Sequence, residues 1–208
     1  MQRKSNIKKW VILPAIVFSL LGCYKNYTKN YNDAETPGLS IFSNKGNNIL
    51  SCFIDGKPWR TIDRIKFEVR STVRYEVDVR KERTGSLLDT LVINWIGYYI
   101  GNDSTPGNLR LLIAVPKNFN YRNFSALQGQ RLLIDTTNNG FFSTSITGLN
   151  TGNNKGNGSI YFHTALLDSI GPDKYIGNMS GLIEANFPSF KITKGRFDES
   201  LDGGNIAL

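Results

Sequence analysis

The chain has 208 residues, a formal charge of +8 from 25 basic and 17 acidic groups, one histidine and two cysteines. The basic residues form no run of five or six, so the high isoelectric point does not point to a nucleic-acid partner. A lone histidine, His163, excludes a His-based zinc site, and no Gly-rich phosphate loop, Gly-x-Ser-x-Gly elbow or kinase-like set is present, so no cofactor is expected.

The N-terminus reads "MQRKSNIKKW", basic and free of acids, followed by "WVILPAIVFSLL", twelve uncharged residues. A membrane span needs about 20 apolar residues, so this run has the length of a signal-peptide core. It ends in Leu20-Leu21-Gly22-Cys23. That ending resembles the lipobox of bacterial lipoproteins, where a peptidase cuts before the cysteine and the thiol carries a diacylglycerol. The resemblance implies a signal peptide over residues 1–22 and a membrane partner through lipid on Cys23. Tyr24 rather than Asp follows the cysteine, and Lys25 and Lys29 stand where surface-exported lipoproteins are acidic. The implied location is the outer membrane, on its periplasmic side. Residues 1–22 hold four basic and no acidic groups, so their removal lowers the charge from +8 to +4.

Residues 23–48 are polar, Asn-rich and broken by Pro37 and Gly38, and read as a flexible tether. A β-rich domain is expected over 49–198, followed by a frayed tail over 199–208. "NILSCFID" places Cys52 in an apolar strand, as a small buried hydrophobe. Asp55-Gly56 is a hairpin signal, with Trp59 packing beside it. Over 64–80, odd positions are apolar and even ones charged, a period of two with one face buried. Register demands either a three-residue loop near Ser71 or one long bent strand. "LLDTLVINWIG" is apolar on both faces, as in a central strand. Further strands are expected at 109–115, 131–135, 141–146, 159–167, 179–187 and 189–197. Turns are expected at 102–108, 136–141 and 170–174, a short helix within 120–130, and a mobile loop over 147–159. The fold class is therefore all-β, an antiparallel sandwich or partly closed barrel.

Chemistry-bearing residues are few. His163 alternates with Tyr161 and Ala165 and reads as structural. Trp95 shares a face with Leu91 and Ile93 and belongs to a core, whereas Tyr98 and Tyr99 near the strand end are candidate ligand-binding aromatics. No catalytic or metal-binding residue is assigned. Only six glutamates occur, which leaves little for a carboxylate pair.

Two segments, "ILSCFIDGKPWRT" and "MSGLIEANFPSFKITKGRFD", resemble the opening and closing hairpins of uncharacterised lipoproteins of the Bacteroidota. That resemblance implies a small all-β lipoprotein domain and brings no catalytic residues. Asp-Ser/Thr followed by an apolar residue or Thr occurs at 89–91, 103–105, 135–137 and 168–170. The pattern is similar to the O-glycosylation motif of Bacteroidota envelope proteins. It marks Ser104, Thr136 and Ser169 as candidate acceptors, with ordinary turn chemistry as the competing reading. The functional expectation is a non-catalytic binding or assembly module of the cell envelope, contacting an envelope protein or glycan. The alternative is a carboxylate-dependent hydrolase of envelope glycans.

Overall fold

The computed structural model describes residues 33–61, 75–80, 87–99, 102–137, 139–146, 155–171, 174–202 and 206–207. The strands are β1 (Ile49–Ile54), β2 (Lys57–Arg60), β3 (Tyr75–Arg80), β4 (Leu88–Tyr99), β5 (Asn102–Pro116), β6 (Arg131–Ile134), β7 (Gly140–Thr144), β8 (Lys155–Gly171), β9 (Lys174–Asn186), β10 (Lys191–Asp202) and β11 (Ile206–Ala207). One short helix, α1 (Tyr121–Ser125), precedes β6. Of the two all-β architectures open to the sequence, the barrel is adopted, and it is closed. Eight strands run round it in the order β4-β2-β1-β10-β9-β8-β7-β5, and β5 returns to β4. β4 serves two strands along one edge: β3 pairs with Thr90 to Trp95, and β2 with Tyr98 and Tyr99. β6 adds to β8 in the same way, and β11 pairs β3 in parallel.

Local chemistry sets this order. At the β1–β2 turn Asp55 (φ 48°) and Gly56 (φ 76°) are both left-handed, the conformation of the two-residue turn whose twist matches a hairpin. Cys52 then faces Trp59 across the pair. The first and last long strands meet, with Ile49 opposite Asp198 and Leu50 opposite Phe197. Helix α1 is capped by Asn120, whose side chain accepts from Arg122 N while Asn123 returns a bond to Asn120 N.

An eight-stranded barrel is just wide enough for side chains to fill, and this one is filled. Trp59, Trp95, Phe142, Phe162 and Phe197 are fully buried. Phe197 stands 5.8 Å from Trp95 and 6.0 Å from Phe162, and Phe124 of α1 reaches within 6.4 Å of Phe162. The indole N–H groups of Trp59 and Trp95 meet no acceptor inside. Outward positions carry Arg131, Glu184 and Lys191, all exposed.

Most sequence expectations hold here. β4 is buried on both faces from Leu91 to Trp95, Val77 and Val79 face the core, and Cys52 is buried. Others are corrected. Residues 102–108, expected as a turn, belong to β5; among the described residues Asn102, Gly107 and Asn108 pair with β4 there, with the register shifting between Gly97 and Tyr99. Residues 155–159, assigned to the mobile loop, already form β8. The tail expected from 199 continues β10, with Glu199 and Leu201 buried, because its pairing with β9 carries on without a break to Asp202. The predicted tether to residue 48 is packed from Asp33 onward, and Leu39 is wholly buried. The bend or loop near Ser71 and loop residues 147–154 lie outside the described residues.

Gly181 sits opposite both Phe162 and Phe197. A methyl group there would lie 2.6 Å from the Phe197 ring and overlap the Tyr161 carbonyl. Gly181→Ala is expected to destabilise the barrel by about 1–3 kcal/mol, read as a lower denaturant midpoint at unchanged m-value.

Candidate functional site

The outer face of β8, β9 and β10 is organised by register. One row across the strands places Arg131 beside Tyr161, Tyr161 beside Leu182, and Leu182 beside Arg196. The next row places Leu133, Ser159 and Glu184 side by side. β10 bulges between Ile192 and Gly195, and Lys194 adopts φ 51° there. A cavity of about 460 Å³ lies over these rows, floored by Ser159, Leu182 and Glu184 and edged by Arg131, Lys194 and Arg196. Glu35 and Thr36 close its remaining side.

Those last two residues belong to an arm, residues 33–48, laid across the sheet. Its first part is a closed loop: Asp33 N donates to Leu39 O at 2.8 Å, and the Asp33 carboxylate accepts from Glu35 N (3.0 Å) and Thr36 Oγ1 (2.6 Å). Arg196 clamps it, donating to Asp33 (2.5 Å) and Ser40 O (3.0 Å) through Nη1 and to Thr36 Oγ1 (3.0 Å) through Nη2. Ser40 and Ser51 share a buried hydroxyl contact of 2.6 Å. Further on, the Asp198 carboxylate accepts from Gly46 N (2.7 Å), Asn47 N (3.2 Å), Lys45 N (3.3 Å) and Asn47 Nδ2 (2.9 Å). Phe42 meets the His163 ring edge-on at 5.5 Å, and Asn178 donates to Asn44 O.

The groove is charged without being one-signed. Arg196 is committed to the arm, while Arg131 donates to Ser159 Oγ (3.2 Å) and lies 5.7 Å from the Tyr161 ring. Among the described residues no ion pair engages Lys194, Glu35 or Glu184. The arrangement thus offers fixed donors and acceptors around one apolar side chain, Leu182. That suits recognition of a polar ligand by convergent hydrogen bonds.

The sequence-predicted residues fall elsewhere. Tyr98 and Tyr99 lie at the end of β4 opposite Arg60 and Trp59, both half-buried. Tyr99 packs on the core; burial, with the neighbouring Cys52 and Asp55, pushes its phenol up to about 12. Trp95 is core, as expected. His163 is exposed at a bulge of β8, between the rings of Phe42 and Tyr161. Burial drives the Cys52 thiol far above its usual range. Cys23 lies outside the described residues. Of the candidate glycan acceptors, Ser104 lies within β5 rather than in a loop, Ser169 is exposed at the end of β8 with its hydroxyl on Gly171 O, and Thr136 is exposed in a turn. Turn chemistry accounts for part of that motif: Asp135 accepts from Thr137 N and Oγ1, and the buried Asp89 from Asn118 N and Lys117 Nζ. Sequence reasoning missed the groove. Its residues come from five separated segments, and only the bulge, the register and the docked arm bring them together.

Among the described residues no group of three or more His, Cys, Asp or Glu is placed to hold a metal ion, and no helix is long and apolar enough to cross a membrane. No protein family, curated protein or solved structure matches the chain. Fold and site together define a closed, filled β-barrel with an external groove walled by its own N-terminal arm.

The clamp makes arm docking acid-sensitive. The Thr36 hydroxyl, then the Arg196 guanidinium, hold the Asp33 carboxyl well below the usual carboxylate range. A lowered folded-state value contributes stability above the ordinary value of about 3.9 and loses it as pH falls further. Amide exchange over residues 39–48 should therefore be slow from pH 8 to 5 and accelerate, relative to the barrel, only below about pH 4. Asp33→Asn should show faster arm exchange at pH 7 and a weaker acid dependence than the parent.

Proposed function

We propose that this chain is a lipid-anchored protein of the bacterial cell envelope whose barrel is a binding or assembly module, held to the outer membrane through Cys23 with the domain on the periplasmic side. The observation that carries the binding reading is the groove. The barrel interior is filled, so a ligand has no room inside. The external cavity offers charged and polar groups on a rigid sheet, held from β6, β8, β9 and β10 and completed by the arm. The sequence supports the anchor: basic start, short apolar core and Leu-Leu-Gly-Cys end. A tethered domain meets membrane-associated partners at raised effective concentration.

Two measurements test this reading. Mass spectrometry of the membrane fraction should find a mature chain beginning at an acylated Cys23; a soluble chain with unmodified Cys23 would remove the anchor. The protein should capture an envelope component or glycan from native membranes and on a glycan array. Arg131→Ala/Lys194→Ala should weaken that capture at least ten-fold, and capture indifferent to both substitutions would remove the groove.

A second reading rests on one fact: Glu35 and Glu184 line the same groove, and paired carboxylates are the machinery of glycoside hydrolysis. It requires new reducing ends to appear when the protein is incubated with envelope glycans. Glu184→Gln would then abolish them.

A further inference from the structure

The arm divides the outer face of the β8–β9 hairpin. On one side lies the polar groove. On the other, toward the hairpin turn, Leu166, Ile170 and Ile176 are exposed, with Asn178 and Asp168 between them. Leu166 stands beside Asn178, whose side chain holds Asn44 of the arm, and Ile176 lies one row further on, opposite Asp168. Ile170 follows at the tip. The arm contributes Ile41 and Phe42, the latter seated on His163 of the same strand. These five side chains are between 38% and 62% exposed. Water-facing barrels scatter single apolar residues over their surface, but a run of this kind along one face marks a contact.

We propose that this strip docks on the lipid surface, so that the barrel lies against the bilayer with its groove facing sideways. The inference rests on the anchor at Cys23 argued above, and the chain length supplies the reason. Ten residues lead from Cys23 to Asp33, and a fully extended chain spans at most about 3.6 Å per residue. The start of the arm is therefore kept within about 36 Å of the headgroups, and the arm-bearing face is the one tied closest. A barrel held that near meets the membrane continually, so even weak interfacial affinity is realised. Asp168, outward among these residues and exposed, sets the depth. A carboxylate does not enter the acyl core, so the strip rests at headgroup level, with its aliphatic side chains at the interface.

The test separates docking from anchoring. The chain from residue 23 with Cys23→Ser, which cannot carry lipid, is floated with phosphatidylethanolamine/phosphatidylglycerol vesicles. The bound fraction should rise with lipid concentration. Ile41→Ser/Leu166→Ser/Ile176→Ser, with unchanged circular dichroism, should bind at least ten-fold more weakly. Leu133→Ser, which removes an exposed leucine outside the strip, should bind as the parent does. No flotation at the highest lipid concentration, or equal loss in the Leu133 variant, overturns the proposal. So does a dimer of the parent in lipid-free sedimentation that the triple variant dissociates, since the strip would then join two copies of the chain. Acylation of Cys23 is read separately by mass, so either idea can fail alone.

Discussion

The buried carboxylate of Asp198 is the constraint on which both faces of the sheet depend. It is only 2% exposed and sits on the outer side of β10, where that strand meets β1. An uncompensated charge there is costly, and the Ser180 hydroxyl opposite it on β9 makes no hydrogen bond to it. The arm supplies donors: three successive backbone N–H groups and one amide converge on the carboxylate. That convergence dictates the arm's path. Gly46 takes φ 68° and passes so close to Ser200 that an added Cβ would stand 3.0 Å from Ser200 Cβ, and Asn48 follows at φ 56° while its side chain accepts from Ser200 N. The arm is thus part of the folded domain, because a charge in β10 is satisfied only when the arm is in place.

The same strand settles where function can reside. Inward residues of β10 alternate with the outward ones that hold the arm, and Phe197 contacts Trp95 and Phe162 at the centre of the barrel. Filling an eight-stranded barrel with rings of this size leaves stability inside and recognition outside. The outward residues Arg196 and Asp198 are two apart, so they point the same way. One clamps the beginning of the arm and the other its later half. The groove and the apolar strip are separate surfaces because the arm between them is held to the sheet along its length, by Arg196 and Asp198 above all.

Elements were legible where the pattern was local. The Asp-Gly turn, the two-sided burial of β4 and the short helix before β6 each depend on neighbouring residues, and the sequence carried those signals. The arm was not legible. A segment of Asn, Ser, Lys and Gly with one buried leucine has the composition of a linker, and its order comes from hydrogen bonds to Arg196 and Asp198, about 150 residues away. The 102–108 stretch misled for a related reason: Asn, Asp, Pro and Gly signal a turn, but β4 runs on through Tyr99 and the polar residues are absorbed as a bulge. For the site, the aromatic pair Tyr98 and Tyr99 drew attention because rings are conspicuous in a sequence. Strand pairing then put Tyr99 opposite Trp59 and onto the core.

Connectivity adds a mechanical consequence. Glu35 and Thr36, which wall the groove, belong to the loop that begins at Asp33, where the N-terminal segment joins the domain. Tension along that segment is borne first by the Asp33–Arg196 pair and the Thr36 contact, before it reaches the Ser40–Ser51 contact or the Asp198 cluster. A ligand bridging Glu35 or Thr36 to the sheet would add contacts across the same joint and resist its opening. Binding and arm docking must then strengthen each other by equal amounts, because both draw on one equilibrium between a seated and a lifted arm.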